Sequence, residues 1–555
     1  MAGEHYPNTP SIPEALLLRE IQSLTDRGLH VKLFDGVVEA TDPVSGQKWQ
    51  FSMEMLKPRR STFTGLPTLT IDLRTIDTNL YNWRFLHVNS VPISGEWGFP
   101  LQIGDVDSNG RHEAYGVYQT QASYFARIYE QGPLNTWVAR HQYGENAGLV
   151  DMQADIDRNG LTEIYLRFGD SLFVFEQVQP DSLPIGTKFR HRQWYQSATG
   201  IPNQIEDMNN DGNEEILYRG SRLDSAGQPN VEKTFIMRYN QGVNDLEEVW
   251  SKQLPPDCQS EGCSGAIATG DFDGDGKTEF VTSNFAGNMY VVERTIEDSF
   301  EVTWSMNLSA AGRVTSGDVD NNGAIEFLIG GTQVEEDGYV HLRAYAFERT
   351  GDNEFQPMFA FNIFPAGMFF VDLYQTADVD GDGTPELILS CAGGIIVIRA
   401  AEEHVYELFY YQPPFALDGV AARKINGNQQ AHLFVSRHLG GQQIVKQTDV
   451  YMLDSSLVVN VQPQNSIPSE PRALDTYPNP FNSQAFITYQ LGKSAHLRLQ
   501  VFDILGREVI TLFDAFQYPG IYSVVWEAKL AASGVYLLRF AVDQQVQTRK
   551  MLYIR

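Results

Sequence analysis

The sequence predicts an all-β protein: a seven-bladed β-propeller followed by a small Ig-like β-sandwich. Three observations carry this expectation. A nine-residue acidic loop recurs through the middle of the chain at intervals of about 50 residues. Each copy is flanked by short runs of β-type residues. The composition, with 12% aromatic residues and 47 Gly, is that of a chain rich in strands and turns. The hydrophobic share of 42% and charged share of 20% are those of a folded protein. At 555 residues the chain is long enough for a large core and more than one domain. A net charge of −29 argues against a nucleic-acid partner, which needs a basic face. No run of 18 apolar residues exists, so no membrane-spanning helix is expected.

Residues 1–79 form an N-terminal segment of unassigned function. "SIPEALLLREIQSLTDRG" (Ser11–Gly28) has the spacing of a short amphipathic helix, and "HVKLFDGVVEATDPVSGQKWQFSM" reads as two or three strands with turns at Asp35-Gly36 and near Ser45-Gly46. The start has no basic head followed by an apolar core, so it is not a secretory signal as written.

Residues 80–455 hold the repeat. The copies are "DVDSNGRHE" from Asp105, "DIDRNGLTE" from Asp155, "DMNNDGNEE" from Asp207, "DFDGDGKTE" from Asp271, "DVDNNGAIE" from Asp318 and "DVDGDGTPE" from Asp378. Their starts are 50, 52, 64, 47 and 60 residues apart, and a decayed seventh, "KINGNQQAH", begins at Lys424. Strand, loop, strand, turn, strand, strand in about 50 residues is one four-stranded blade, and blades must pack against each other to bury both faces. The seventh unit lacks a clear outer strand. "LYNWRFLHVN" (Leu80–Asn89) resembles the other outer strands, and the expectation is that it pairs there, closing the ring and leaving no exposed edge; the alternative is a separate N-terminal hairpin.

The spacing of the loop is that of a calcium site. Ca²⁺ takes six to eight hard oxygen ligands. Side chains at positions 1, 3 and 5 converge, Gly at position 6 permits the sharp turn, position 7 offers its carbonyl, and a carboxylate at position 9 completes the cage. The candidate ligands are Asp105, Asp107, Asn109, Arg111 and Glu113; Asp155, Asp157, Asn159, Leu161 and Glu163; Asp207, Asn209, Asp211, Asn213 and Glu215; Asp271, Asp273, Asp275, Lys277 and Glu279; Asp318, Asp320, Asn322, Ala324 and Glu326; and Asp378, Asp380, Asp382, Thr384 and Glu386. An EF-hand places its last Glu at position 12 on a helix; here Glu stands at position 9 and opens a β run. Up to six Ca²⁺, one per intact loop, would raise the formal charge from −29 to −17. The seventh loop has Lys424 and His432 in its first and last slots and is expected to be metal-free. "GDFDGDGKTEF" also ends like a phosphate-binding loop, but the Gly that such a loop needs four residues before Gly-Lys-Thr is displaced by one position and a β run follows. Lys277 is therefore expected to offer its carbonyl, with its ammonium in solvent. The loops are expected to brace the blades rather than bind a partner directly. They resemble the FG-GAP/VCBS repeats of integrin α-subunit propellers and of many bacterial surface proteins, which implies fold and calcium but no particular partner.

Residues 456–475 read as a linker and 476–555 as a β-sandwich. Tyr477-Pro478-Asn479-Pro480-Phe481-Asn482, Leu505-Gly506-Arg507-Glu508-Val509, Ala532-Ser533-Gly534-Val535-Tyr536 and the Lys550–Arg555 tail closely resemble the C-terminal sorting domain of the type IX secretion system of Bacteroidota and relatives. The resemblance implies the type IX machinery as a partner and a secreted or outer-surface location. Proteins of that family first enter the periplasm on a general secretory signal, so the start is expected to be trimmed or mis-assigned.

Cys258 and Cys263 allow a local disulfide in an oxidising compartment, and Cys391 reads as a small buried residue. No G-x-S-x-G, H-E-x-x-H or G-x-G-x-x-G stands in a suitable context, and the 11 His are scattered. The expected function is a non-catalytic, calcium-binding propeller that binds a protein or glycan. The alternatives are a carbohydrate-active enzyme, a polysaccharide lyase or glycosidase with its groups in "LDSAGQPNVEK" or "TQVEEDGY", and a structural surface-layer protein. Trp97 and Phe99 are expected in the core.

Overall fold

In the computed structural model the described residues lie between 17 and 554, without 42–47, 53–62, 94–100, 197–203, 222–232, 255–266, 368–373, 440–444, 454–471 and stretches of one to three residues elsewhere. Trp97, Phe99, Cys258, Cys263 and all but the end of "LDSAGQPNVEK" fall outside them. The chain forms two compact units, residues 1–76 with 89–450 and residues 77–88 with 451–555.

Strands dominate. Among the described residues, seven sheets whose repeat strands pair antiparallel follow one another along the repeat. The fourth is representative: Ile267–Gly270, Glu279–Ser283, Asn288–Ile296 and Ser299–Asn307, paired in chain order. Between its first two strands lies the acidic loop, and Glu279 at position 9 is the first residue of the second strand. Glu113, Glu163, Glu215, Glu326 and Glu386 hold the same place in their own sheets. The seventh sheet runs Leu417–Lys424, Ala431–Leu439, Val445–Leu453 and then Phe85–Val91. Its last strand thus comes from the start of the repeat region: of the expected Leu80–Asn89, the part from Phe85 onward pairs there, whereas Leu80 ends a short 3-10 turn, Thr78–Leu80. The hydroxyl of Ser90 donates to Asp449 Oδ1 at 2.6 Å, and that of Thr448 to the Ile93 carbonyl at 2.8 Å.

The buried apolar residues lie between consecutive sheets. One cluster joins the first and second sheets around Val106, Tyr115 and Ile164, one the second and third around Ile156, Tyr165 and Tyr218. Others join the third and fourth around Met208 and Phe280, and the fourth and fifth around Phe272, Phe327 and Phe347. A further cluster joins the seventh to the first through Ala421, Phe434 and Val450 against Ile103, Ala114 and Tyr129. Position 2 of the loop belongs to this core. Val106, Ile156, Met208, Phe272, Val319 and Val379 are all buried, so each acidic loop is pinned at its second residue to the space between sheets.

The N-terminal segment holds helical residues at Leu17–Leu18, Ile21–Gln22 and Leu24–Thr25, and a three-stranded sheet of His30–Phe34, Val37–Thr41 and Lys48–Ser52. A further strand, Thr68–Asp72, lies parallel to Glu354–Phe364 as the fifth strand of the fifth sheet. Its "TLTID" alternates weakly and carries no acidic-loop signal, which is why its pairing is not legible in the sequence.

The C-terminal module has a three-stranded sheet (Arg472–Tyr477, Gln484–Leu491, Gly520–Glu527) and a four-stranded one in the order Glu508–Gln517, Ala495–Asp503, Gly534–Val542, Gln545–Tyr553. Both contribute to one core containing Ile487, Tyr489, Leu499, Trp526, Leu538 and Phe540. Its first strand begins inside the stretch read as linker, at Arg472.

Candidate metal centres

All six loops are built by the same backbone hydrogen bonds. The N–H of position 2 donates to the position-9 carboxylate: Val106 to Glu113 at 2.9 Å, Ile156 to Glu163 at 3.0 Å, Met208 to Glu215 at 3.0 Å, Phe272 to Glu279 at 2.7 Å, Val319 to Glu326 at 2.9 Å and Val379 to Glu386 at 2.7 Å. The side-chain oxygen at position 5 accepts from the N–H of position 7, at 2.7–2.8 Å in every loop. This is the Asx turn that favours Asp and Asn there. The position-1 carboxylate accepts N–H groups from positions 5 and 6 in the first, second, third and fifth loops. Where position 4 is Gly274 or Gly381, that residue's N–H donates as well, at 2.7 and 2.6 Å, and in the fourth loop Gly276 at position 6 still donates to Asp271 at 3.1 Å.

Two residues per loop take positive φ. At position 6 these are Gly110, Gly160, Gly212, Gly276, Gly323 and Gly383. At position 4 they are Ser108, Arg158, Asn210, Gly274, Asn321 and Gly381. The double left-handed turn folds the carboxylates onto one point.

In five loops these carboxylates converge, with one oxygen of each within 4.8 Å of the others: Asp105, Asp107 and Glu113; Asp155, Asp157 and Glu163; Asp271, Asp273, Asp275 and Glu279; Asp318, Asp320 and Glu326; Asp378, Asp380 and Glu386. The second oxygen, Oε1, of Glu113, Glu279 and Glu326 is buried with no hydrogen-bond partner. Burial, joined by the neighbouring carboxylates, pushes Glu113, Glu279, Glu326 and Glu386 up to about 8. Buried, convergent, partly unsatisfied carboxylates are costly alone and are resolved by a cation. All-oxygen donors are those of a hard divalent ion.

The second and third loops differ. Lys188 Nζ stands 2.6 Å from Asp157 Oδ2 and 2.7 Å from Glu163 Oε1, and it also reaches Glu176. In the third loop Arg238 Nε donates to Glu215 Oε1 at 2.8 Å, and Asn209 turns its amide toward Asp211 at 3.0 Å. Burial raises Glu215 to about 7, with Arg238 opposing.

The strand register shows what sequence reading missed. Directly across from position 9 stands Glu130 for Glu113, Glu176 for Glu163 and Glu293 for Glu279. In the fifth sheet the pairing starts at Phe327 and Phe347, and Glu348 is the next residue beyond it on the strand facing Glu326. In the third sheet the place is taken by Arg238, and in the sixth Arg399 is the residue next beyond the pair Leu387 and Ile398. Like charges facing across a ladder are destabilising unless a cation lies between. The signal was present in "IYEQ", "VFEQ", "VVER" and "AFER", set against "IMRY" and "VIRA".

The third, fourth, fifth and sixth loops are also held by a neighbouring sheet. Asn353, at a positive-φ hairpin tip of the fifth sheet, donates its N–H to Asp273 Oδ2 at 2.9 Å and its amide to Glu293 at 2.6 Å, while Arg349 donates to the Asp273 carbonyl at 2.6 Å. His404 in the sixth sheet meets Asp320 and Glu348 at 2.8 and 2.6 Å. Arg294 of the fourth sheet donates to the Asn209 carbonyl. In the decayed seventh loop Lys424 donates to Asp378 Oδ2 at 2.9 Å, and His432 is buried. The Lys277 ammonium, expected in solvent, is partly exposed and is also engaged, donating to Asp275 Oδ2 at 2.6 Å and to Glu293 across the ladder.

A pocket of about 460 Å³ beside the first loop is lined by Asp107, Asn109, Arg111, Glu130, Arg140 and Leu183. In "TQVEEDGY", Glu335 is bound by Arg343 at 2.6 and 3.0 Å and Asp337 by His341 at 3.0 Å. Cys391 is buried.

In the C-terminal module the motif residues have visible work. Asn479 accepts from the Leu552 N–H at 2.8 Å and donates to the Lys550 carbonyl at 3.0 Å, tying the last strand. Asp503 accepts from the N–H groups of Leu505 and Arg507 and from the Arg507 side chain, shaping the turn at Gly506. Tyr536 donates to the Ala532 carbonyl at 2.6 Å.

Residues 475–554 match the family of secretion system C-terminal sorting domains. The module is thus a type IX sorting tail, which implies the type IX machinery as a partner and a secreted or cell-surface protein. No curated protein matches the chain. Solved structures with some likeness include BBS1N in complex with ARL6DN, with TM-score 0.39, 11% identity, and coverage of 67% of this chain and 98% of that one. Others are a fungal alcohol oxidase of the AA5 family in complex with copper, at 0.39, 10%, 84% and 98%, and an Agrocybe aegerita lectin that recognises non-reducing terminal N-acetylglucosamine, at 0.35, 12%, 69% and 88%. Likenesses of this size assign neither fold nor activity.

Proposed function

We propose that the seven sheets form a closed propeller of the FG-GAP/VCBS type, braced by calcium in its acidic loops, and that it is carried outside the cell by the sorting tail to bind a protein or glycan without catalysis. The observation that carries the calcium reading is the buried, unpartnered Oε1 of Glu113, Glu279 and Glu326 among convergent carboxylates. The apolar cores between successive sheets, with one joining the seventh to the first, support the ring. Extracellular calcium modules bind at roughly 10⁻⁴–10⁻³ M, a range suited to the exterior.

Each closing glutamate holds one oxygen on a backbone N–H of its own loop, which favours bracing over catalysis. The ligand surface therefore lies elsewhere on the sheets and their connections. A panel of soluble polysaccharides tests this reading: binding without a change in chain length is expected, whereas strand cleavage would overturn it in favour of the carbohydrate-active alternative.

A further inference from the structure

The six loops are not equivalent, and the second differs in a way that bears on what it holds. We infer that Lys188 closes the second loop from within, its ammonium standing where a divalent ion stands in the fourth and fifth, so that this loop takes no calcium. The inference rests on the calcium reading of the other loops.

Three observations carry it. Lys188 Nζ contacts Asp157 Oδ2 at 2.6 Å and Glu163 Oε1 at 2.7 Å, which are ligand groups of two positions in one cage. The oxygen it takes at position 9 is the one left without a partner at Glu113, Glu279 and Glu326. It also engages Glu176, the glutamate facing Glu163 across the ladder, so one buried ammonium answers three carboxylates. The Lys188 side chain is only 6% exposed.

Its position has a local cause. The fourth strand of each of the first six sheets carries an irregularity at the equivalent step, leaving one residue outside the pairing register. The extra residue is Arg140, Lys188, Val249, Thr303, Met358 and Phe409 in turn. A bulge re-aims the side chain it carries. In the third to sixth sheets that side chain has no cationic group. Arg140 donates to Glu130, away from the convergent trio of its own loop. Among these six residues only Lys188 is both cationic and in contact with two carboxylates of its own cage, including the closing glutamate; Lys277 reaches Asp275 from within the fourth loop but leaves Glu279 Oε1 without a partner. An ammonium and Ca²⁺ compete for the same oxygens, and a bound Lys already supplies the charge compensation that a metal would bring.

Hydrogen exchange of the full chain, first in EDTA and then in excess CaCl₂, tests this. Calcium is expected to slow exchange at least about tenfold in 271–279 and 318–326 while leaving 155–163 unchanged. In Lys188→Met, 155–163 should become calcium-responsive, and equilibrium dialysis should count one more calcium per chain. Slowing of 155–163 in the natural chain to the same extent as the other loops would overturn the inference alone. No response at any loop would overturn the calcium reading and this inference with it. Should Lys188→Met fail to fold, the exchange of the natural chain decides the matter by itself.

Discussion

The closing glutamates hold their two oxygens in different surroundings. At Glu279 one oxygen accepts the Phe272 N–H at 2.7 Å, and the other is buried without a partner. A carboxyl group raised from 4.5 to about 8 by burial keeps its proton in the folded chain at pH values where the unfolded chain has lost it. The folded state therefore binds more protons between these limits, and its stability falls as pH rises through them. In EDTA the melting temperature should fall between pH 5.5 and 8; with calcium present the fall should shrink or reverse, because the ion favours the charged form. A flat profile in EDTA would contradict the raised values at Glu113, Glu279, Glu326 and Glu386. Two glycines of the fourth loop separate backbone from contact effects. Gly276 has φ +88° and open space around its missing Cβ, so Gly276→Ala should cost about 1–2 kcal/mol through backbone strain alone. A Cβ at Gly274 would come within 1.6 Å of Arg349 Nη1, which donates to the Asp273 carbonyl. Gly274→Ala should cost more and should be the one relieved by Arg349→Ala in a double-mutant cycle.

At the scale of elements, the repeated loop was readable because its spacing dictates its hydrogen bonds. Asp at position 1, Asp or Asn at position 5, Gly at position 6 and Glu at position 9 each meet a fixed backbone group. What a single loop cannot reveal is which residue faces position 9 from the next strand. Glu130, Glu176, Glu293 and Glu348 follow the closing Glu at variable distance because the intervening turns differ in length, so only the register identifies them. Lys188 was hidden for the same reason, its aim being set by an irregularity in pairing. The strand Thr68–Asp72 was hidden because nothing in five residues names a partner nearly 300 positions away. In the sorting module, Asn479 makes the opening motif a latch on the final strand. Asn479→Ala removes two hydrogen bonds, worth about 1–3 kcal/mol together. Exchange along Gln545–Tyr553 should rise while that of Ala495–Asp503 stays near its original rate; equal rises in both would mean that Asn479 acts on the whole module.

At the scale of the molecule, the acidic loops and the apolar cores act on the same joints. Position 2 enters the space between sheets, position 9 opens the next strand, and Asn353, Arg349 and His404 reach back from the following sheet. A cation in such a loop stabilises the seam between sheets as well as the hairpin that carries it. The most direct test is the melting temperature of the full chain in EDTA and in 10 mM CaCl₂. With dissociation constants of roughly 10⁻⁴–10⁻³ M, each occupied loop contributes about 1.4–2.7 kcal/mol at that concentration. Several loops together predict a rise on the order of 10 °C. A melting temperature that does not move between the two conditions would contradict the account.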